Sequence, residues 1–307
     1  MVAIELEGLT KDYGSVLGAD SLTFDVERGE IFGFLGPNGA GKTTTIRMLL
    51  GFISPTAGSA RILGHDIRDR KALLEAKRNI GYLSDDPGFD EQATGTEILD
   101  LHAAVKGDER REELLELFDP PLERKIREYS RGNIQKLGLV TTFMHEPELV
   151  ILDEPTSGLD PLMKQRFADF LRAEQQRDVT VFFSSHILSE VRRLCDRVAI
   201  IRDGRLTTID PIDALLTRSG KSIRIHSADP IPTTALDLEG VHDLEVGISE
   251  SSEAREADVF TECAFTFTGD INHLLGRVSG YDLLDLSIEE APLEDVFMRF
   301  YGGDDDV

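Results

Sequence analysis

The residues best suited to chemistry lie in a glycine-rich run, GPNGAGKTT, at positions 36–44. This run fits the spacing Gly-x-x-x-x-Gly-Lys-Thr, in which backbone N–H groups surround a polyphosphate. Lys42 supplies a positive charge for the outer phosphates, and Thr43 supplies a hydroxyl for Mg²⁺. The apolar segment before the run and the helical pattern after it form the strand–loop–helix setting that the motif requires. We therefore predict that the chain binds a nucleoside triphosphate.

A second set of reactive side chains follows two apolar segments further along the chain. Asp153 and Glu154 follow LVIL, and His186 follows VTVFFSS. Neighbouring residues of a strand point to opposite faces, so one carboxylate could reach a metal ion and the other a water molecule. Burying both carboxylates without a cation is costly, and a bound metal together with Lys42 would supply that cation. Ligands of parallel sheets lie at the carboxyl ends of the strands, where His186 could donate to a γ-phosphate.

Two further segments carry weaker signals of ligand binding. Tyr13 lies in a polar turn, where its ring could stack on a nucleobase or simply remain a half-buried turn tyrosine. Ser130, Gly132 and Asn133 precede a helix expected to begin near Ile134. Small polar residues at a helix start can bind an anion, but they can equally form an ordinary cap. This segment lies in a separate insertion, so it is badly placed to contact phosphates held by the glycine-rich loop of the same chain.

The elements around these residues predict an α/β chain of two domains, and 307 residues are enough for a sizeable core. Strand patterns fill the first 30 residues, and polar helical patterns fill about 86–147, which we interpret as a helical insertion into the nucleotide-binding sheet. Residues 210–307 contain 22 acidic and 6 basic residues and alternate strand and helix patterns, as in a small α+β unit. We expect a polar linker at 249–257 and a final helix in PLEDVFMRFYG.

The charge balance argues against several classes of partner. With 57 acidic against 33 basic residues, the formal net charge is -24, which repels nucleic acid and anionic lipid. Cys195 and Cys263 have no metal or redox spacing and indicate a reducing compartment. The N-terminus lacks a signal-peptide pattern, and no apolar run reaches 18 residues. We expect a cytoplasmic chain that acts at a membrane only through another, membrane-spanning chain.

These motifs resemble, in order, those of the ATP-binding subunit of ABC transporters over roughly residues 2–215. The glycine-rich run is similar to the Walker A loop, LVILDEP to Walker B, SGLD to the D-loop and His186 to the switch histidine. YSRGN at 129–133 resembles the signature sequence LSGGQ, and Tyr13 falls where the family has an adenine-stacking aromatic residue. The resemblance implies a P-loop NTPase fold with an antiparallel β subdomain, a helical insertion and a small C-terminal α+β domain.

The family's pattern implies a role for each candidate residue. Glu154 would activate water, His186 would hold the γ-phosphate and Lys42 would neutralise phosphate charge, which makes these three the catalytic candidates. Thr43 and Asp153 would hold Mg²⁺. ATP would contact the loop and both outlying segments, through Tyr13, Gly36, Pro37, Asn38, Gly39, Ala40, Gly41, Lys42, Thr43, Thr44, Ser130, Gly132 and Asn133.

Two departures from the family's pattern affect this reading of the site. The signature segment has Arg131 and Asn133 in place of Gly and Gln, but it keeps Ser130 and Gly132. At the Q-loop, where Pro-Gln or Pro-Glu is expected, the sequence is Ser-Asp, which makes Asp85 a third metal candidate. Asp is one methylene shorter than Glu, so Asp85 would bind Mg²⁺ through a water or position the nucleophile less well.

The resemblance also implies how the chain assembles. Two ATP molecules would lie between two head-to-tail domains, each between the Walker A loop of one chain and the signature segment of the other. The second chain would be another copy or a paralogue, and a separate membrane permease would complete an exporter attached to the inner face of the cell membrane. Two alternatives are a nucleotide-gated regulatory ABC ATPase with weak hydrolysis and a non-transport ABC ATPase acting on chromosomes or ribosomes.

The expected domains are an ATP-binding domain at 1–215, with its helical part at 86–147, and an accessory domain at 216–307. The accessory domain resembles that of drug-exporter members of the family, in which LEDVF (293–297) is a familiar ending. It could stabilise a dimer, regulate the ATPase or be a passive tail. The transported substrate is not specified, because that choice lies in membrane-spanning chains.

Overall fold

A computed structural model of the chain describes residues 1–250 and 259–290, and its contacts separate Met1–Ile212 from Asp213–Val307. We call these parts unit 1 and unit 2. Most of the linker predicted at 249–257 lies outside the described residues, as do the predicted final helix and its LEDVF segment. Ser249 and Glu250 belong to a strand rather than to that linker.

Unit 1 contains two sheets. Its strands are β1 (Val2–Asp12), β2 (Leu17–Glu27), β3 (Ile31–Leu35), β4 (Ala57–Ile62), β5 (His65–Asp66), β6 (Ile80–Leu83), β7 (Leu149–Asp153), β8 (Thr180–Ser185), β9 (Arg197–Arg202) and β10 (Arg205–Pro211). One sheet is antiparallel, in the order β2-β1-β4-β5, and the other has the order β10-β9-β3-β8-β7-β6. Strands β9, β3, β8, β7 and β6 are parallel, and β10 adds an antiparallel edge through a hairpin at Asp203-Gly204.

The parallel register brings the carboxyl ends of four strands to one edge of the larger sheet. Strands β3, β7 and β8 are buried along their whole length, as expected for strands covered on both faces. Leu35 lies opposite Ser185, and Asp153 lies opposite Ser184. Strand β6 ends beside them at Leu83. The segments that follow these four strands therefore meet in space, although they are far apart in the chain.

The helices of unit 1 cover the larger sheet and form the predicted insertion. They are α1 (Lys42–Leu49), α2 (Arg70–Ala76), α3 (Gly95–Lys106), α4 (Arg111–Phe118), α5 (Arg131–Phe143), α6 (Pro161–Gln175) and α7 (Leu188–Leu194). Thr94 starts α3 with a capping box, in which its side chain and that of Glu97 each bond the other's backbone N–H. Among the described residues, no helix combines the length and apolar character needed to cross a bilayer.

Helix α5 begins at Arg131, three residues earlier than the sequence analysis placed it. Ser130 is the N-cap, and its side chain accepts a hydrogen bond from the backbone N–H of Asn133 at 3.3 Å. Gly132 and Asn133 therefore lie in the first turn rather than before the helix. A serine cap accounts for the earlier start, because it satisfies a backbone donor that a start at Ile134 would leave in the loop.

Aromatic side chains fill the space between the two sheets of unit 1. Phe24, from the antiparallel sheet, stacks on Phe32 at 5.5 Å and on Phe182 at 6.5 Å between ring centroids. Phe32 and Phe182 are themselves 5.9 Å apart on neighbouring strands of the parallel sheet. These buried rings join the two sheets at β3, the strand that leads into the glycine-rich loop, and so give the loop a rigid support.

Unit 2 has the predicted α+β character. Its elements are α8 (Ile212–Ser219), which starts at the last residue of unit 1, β11 (Lys221–Ser227), β12 (Val241–Glu250), β13 (Val259–Phe267), α9 (Ile271–Val278) and β14 (Leu283–Glu290). The strands form an antiparallel sheet in the order β12-β13-β11-β14. Ile223, Ile225 and Phe265 on one face of this sheet share a core with Leu274 of α9.

Candidate functional site

The glycine-rich loop connects β3 to α1 and is shaped by a close backbone contact. Gly41 has φ +106°, and a Cβ atom there would collide with the carbonyl oxygen of Gly18. Within the part of the chain that the structure describes, no side chain caps the first N–H groups of α1 at this end. These groups and the positive end of the helix dipole are therefore available to an anion held by the loop.

A cavity of about 300 Å³ opens over this loop. Its lining residues are Tyr13, Val16, Leu17, Gly18, Pro37, Asn38, Gly39, Gly41, Lys42, Thr43, Thr44, Asp85, Asp153 and Glu154. The structure places Tyr13 and Asp85 beside the loop, whereas His186 is not among the residues that line this cavity. Gly36 and Ala40 belong to the loop but are not among the lining residues. The sequence analysis missed Val16, Leu17 and Gly18, whose apolar and small side chains carry no chemical signal.

Tyr13 lies at the edge of the cavity with about half of its surface exposed. Lys11 places its Nζ 5.2 Å from the ring centroid, close enough for a cation–π interaction. A Cβ atom on Gly18 would come within 2.8 Å of the ring atom Cε2, so the glycine makes room for the ring. The exposed part of the ring can stack on a flat base, as predicted for adenine.

Asp153 is buried at the end of β7, between hydroxyl groups from two other elements. Its Oδ2 accepts from Thr43 Oγ1 at 2.9 Å, and its Oδ1 accepts from Ser184 Oγ at 2.9 Å. Burial raises the pKa of nearby Tyr82 to about 12, and the negative charge of Asp153 adds to that rise. A carboxylate and a hydroxyl side by side are the hard oxygen donors that Mg²⁺ prefers, so Thr43 and Asp153 fit the implied ion.

Lys42 is buried under the loop and faces both the loop backbone and Glu154. Its Nζ donates to the carbonyl oxygens of Gly36 at 2.6 Å and Pro37 at 3.4 Å. The same Nζ lies 3.4 Å from Glu154 Oε1. The ammonium group is thus held at the floor of the cavity, where it supplies the positive charge that a polyphosphate requires.

Glu154 occupies a turn rather than the strand end from which we predicted its orientation. Strand β7 ends at Asp153, and Glu154 has φ +52°, which is uncommon for a residue with a side chain. The left-handed turn, and not strand alternation, therefore separates the two carboxylates. Such conformations cluster at functional sites, where the surrounding structure must hold them.

The Glu154 carboxylate has one oxygen paired with His186 and one without a hydrogen bond. Oε2 lies 2.8 Å from His186 Nδ1. Among the described residues, Oε1 finds no hydrogen-bond partner, although it is buried and Lys42 is near. The Lys42 ammonium, 3.4 Å away, compensates the charge of this oxygen without forming a hydrogen bond to it.

The two departures from the family's pattern contact each other. Arg131 Nη2 donates to Asp85 Oδ1 at 2.7 Å, and both side chains are more than half exposed. Asp85 therefore lines the cavity with its charge already paired. The three signature residues predicted to contact ATP, Ser130, Gly132 and Asn133, are not among the residues that line this cavity.

Comparisons with known proteins agree with this geometry. A family model described as ABC transporter matches residues 19–157. The bacitracin transport ATP-binding protein of Bacillus licheniformis is 37% identical, over 98% of this chain and 97% of its own. The Nod factor export ATP-binding protein I of Rhizobium johnstonii is 32% identical, over 98% and 95% respectively. A solved ATP binding subunit of an ABC transporter is 31% identical, with a TM-score of 0.63, and the match covers 69% of this chain and 91% of that one.

The site combines a phosphate-binding loop on a parallel sheet with an acidic pair and a histidine at the neighbouring strand ends. This combination defines a P-loop nucleotide-binding protein. The chain belongs to the ATP-binding subunits of ABC transporters. The predicted family and α/β fold are thereby confirmed. The predicted cofactors are confirmed at the same level, since this family binds ATP with Mg²⁺ as the usual cofactor.

Proposed function

We propose that this chain is the ATP-hydrolysing subunit of an exporter. It would lie in the cytoplasm, attached to the inner face of the cell membrane through a separate membrane-spanning permease. Support comes from the bacitracin transport and Nod factor export relatives, both of which match almost from end to end. Repulsion of nucleic acid by the acidic surface also favours transport over a chromosomal or ribosomal role.

The observation that carries this proposal is the position of Glu154 between Lys42 and His186. Glu154 Oε1 is buried 3.4 Å from Lys42 Nζ, and Glu154 is among the residues that line the cavity, so its carboxylate would orient a water molecule there and accept its proton. Lys42 would neutralise phosphate charge, and His186 would hold the γ-phosphate. Thr43 and Asp153 would hold Mg²⁺, with Asp85 as a third metal candidate that would act through a water, and the ion would supply electrostatic stabilisation of that charge.

We further propose that two copies, or this chain and a paralogue, close head to tail around two ATP molecules. The signature segment does not line the cavity of its own chain, which leaves Ser130, Gly132 and Asn133 free to complete the site of a second chain. A solved cassette with 21% identity and a TM-score of 0.63 is described as a dimer bound to ADP and Pi, and it shares this fold.

The proposed division of labour follows the predicted domains. Residues 1–215 would bind and hydrolyse ATP, with the helical part at 86–147 passing the motion to the permease. Residues 216–307 would form an accessory domain. A second candidate function, a regulatory ATPase with weak hydrolysis, is favoured by one observation: Asp85 is paired with Arg131 at 2.7 Å and is less available to Mg²⁺.

The test is Glu154→Gln, which keeps the shape of the side chain but removes the base. We expect ATP turnover to fall at least about 100-fold while ATP binding persists and ATP-dependent dimers accumulate in light scattering. Glu148→Gln is the matched control, since Glu148 is half exposed, precedes the same strand and pairs with Arg28. Near-normal turnover in Glu154→Gln would refute the assigned base. Weak wild-type turnover that membranes containing the co-encoded permease do not raise would favour the regulatory role instead.

A further inference from the structure

Glu190 is a largely buried carboxylate in the first turn of α7 that bridges three elements. Its Oε1 accepts from Thr156 Oγ1 at 2.7 Å and from Lys164 Nζ at 2.9 Å. Its Oε2 accepts from Ser185 Oγ at 3.2 Å. The side chain is 12% exposed. The three donors satisfy both oxygens of this buried carboxylate. None of the three donor residues lines the cavity over the glycine-rich loop.

The two hydroxyl donors lie next to the proposed catalytic pair. Thr156 follows Glu154 by two residues, and Ser185 immediately precedes His186. Both hydroxyl-bearing residues are almost fully buried. Glu190 therefore ties the segment that leaves β7 to the segment that leaves β8, through one rigid planar group.

The backbone already joins the two strand ends, where the N–H of Glu154 donates to the carbonyl oxygen of Ser184 at 3.0 Å, and Glu190 adds a side-chain bridge just beyond that bond. The side chains of Glu154 and His186 meet at 2.8 Å, but each follows the end of a different strand. His186 is 47% exposed, so packing does not fix its ring. Ser185 Oγ also accepts the backbone N–H of Ile187 at 3.0 Å, so Ser185 anchors the turn that carries His186 on both sides.

We propose that Glu190 is a positioning residue that holds the Glu154 and His186 segments in register for ATP hydrolysis. Glu190 acts through Thr156 and Ser185 and does not itself touch the nucleotide cavity. The inference rests on the roles proposed above for Glu154 and His186. A misplacement of about 1 Å in a reacting group can cost about 100-fold in rate, so loss of the tie should lower the chemical step and not ATP binding.

The first test compares Glu190→Gln with Lys164→Met. Glu190→Gln replaces one of the two accepting oxygens by an NH₂ group, so only one of the two hydroxyls can still donate to this side chain. We expect kcat to fall about 10- to 100-fold with KM for ATP within about threefold. Lys164→Met removes the partly buried cation and leaves both hydroxyl bonds to Glu190, so it can lower stability while kcat stays within about twofold. Equal losses in the two variants would mean that the ion pair merely stabilises the fold, and would overturn the proposal.

A second variant and a spectroscopic signal keep the test decisive if Glu190→Gln folds poorly. Thr156→Val removes one hydroxyl bond and little volume, and it should lower kcat in the same direction. In protein labelled with ¹⁵N-histidine, the ring-nitrogen signals of His186 should shift in both variants and remain unchanged in Lys164→Met. A loss of kcat with unchanged His186 signals would overturn the positioning role.

The Glu154→Gln variant, run in the same assay, separates this inference from the proposed function. If Glu154→Gln keeps near-normal turnover, the proposed function fails and takes the positioning role with it. If Glu154→Gln loses turnover while Glu190→Gln and Thr156→Val keep it, only the role of Glu190 fails.

Discussion

Arg110 joins the helical insertion to the α/β core through a buried ion pair whose loss should be measurable. Its guanidinium donates to Glu174 of α6 with Nη1 at 2.5 Å and Nη2 at 2.8 Å, and to Glu113 of α4 with Nε at 3.0 Å. Arg110 is 6% exposed and Glu174 only 1%. The insertion would transmit motion to a permease, so the strength of this joint bears directly on the proposed function.

The perturbation is Arg110→Met, which fills a similar volume but leaves Glu174 with one remaining cation among the described residues. That cation is the exposed Arg177, at 3.4 Å from Glu174 Oε1. Breaking a buried ion pair on one side costs about 3 to 5 kcal/mol, and we expect the lower end because Arg177 remains. The matched control is Arg68→Met, which breaks an exposed pair with Asp66 at 2.8 Å. An exposed pair contributes about 0 to 1 kcal/mol.

Hydrogen exchange suits this measurement because the chain has no tryptophan to report unfolding by fluorescence. A loss of about 3 kcal/mol in local stability should speed exchange in peptides from α4 and α6 by roughly 100-fold. Arg68→Met should change exchange in the same peptides by less than about fivefold. Equal exchange rates in Arg110→Met and Arg68→Met would refute the buried ion pair as the joint.

A double variant tests whether the loss comes from an uncompensated charge. Replacing both partners, as Arg110→Met with Glu174→Leu, leaves no buried charge alone and should restore most of the protection. If the double variant exchanges as fast as Arg110→Met, the cost arises from lost packing against Phe170, which lies 6.0 Å from the guanidinium carbon, and the charge argument is wrong.

Two further predictions concern pH and metal. Burial, with the positive charge of Lys106 as the next cause, lowers the pKa of His145 from 6.5 to about 4. The unfolded chain then binds more protons at this histidine, so the contribution of His145 to stability should fall by roughly 3 kcal/mol as pH drops from about 6.5 to 4. Thermal unfolding of His145→Phe should lack this part of the slope, and an unchanged slope would contradict the assignment. Arg131→Gly frees Asp85 from its ion pair, so the Mg²⁺ concentration that gives half-maximal turnover should fall by up to about fivefold. If Arg131→Gly causes the same fall in a chain that also carries Asp85→Asn, Asp85 is not the cause.

Much of the candidate site was predictable because its elements obey one rule of parallel sheets. Four segments separated by up to 150 residues each follow an apolar strand, and the carboxyl ends of such strands meet at one edge. The loop, Asp153 and His186 could therefore be assigned to one site from their positions alone. Thr94 and Thr96 are both possible caps from the sequence, and the structure selects Thr94, whose capping box joins residues three apart.

Other parts of the site depend on contacts that no local pattern encodes. The pairing of Arg131 with Asp85 spans 46 residues, and Glu190 reaches Thr156 across 34 residues. Each of these residues is an ordinary polar residue in its own segment. The left-handed turn at Glu154 was not predicted either, because nothing in the residue type favours φ +52°.

The sequence by itself determined that this chain holds a triphosphate, because the chemistry of the loop resides in consecutive residues, Gly36 to Thr44, whose spacing dictates the backbone shape. Only the tertiary structure decided which side chains pair around that loop. Strand register and turns set these contacts, which join Lys42 to Glu154, Glu154 to His186, and Asp153 to Thr43 and Ser184. The physical reason is range: a nine-residue loop needs only local geometry, whereas a pair of charges from separate strands meets only where a packed sheet holds both strands in place.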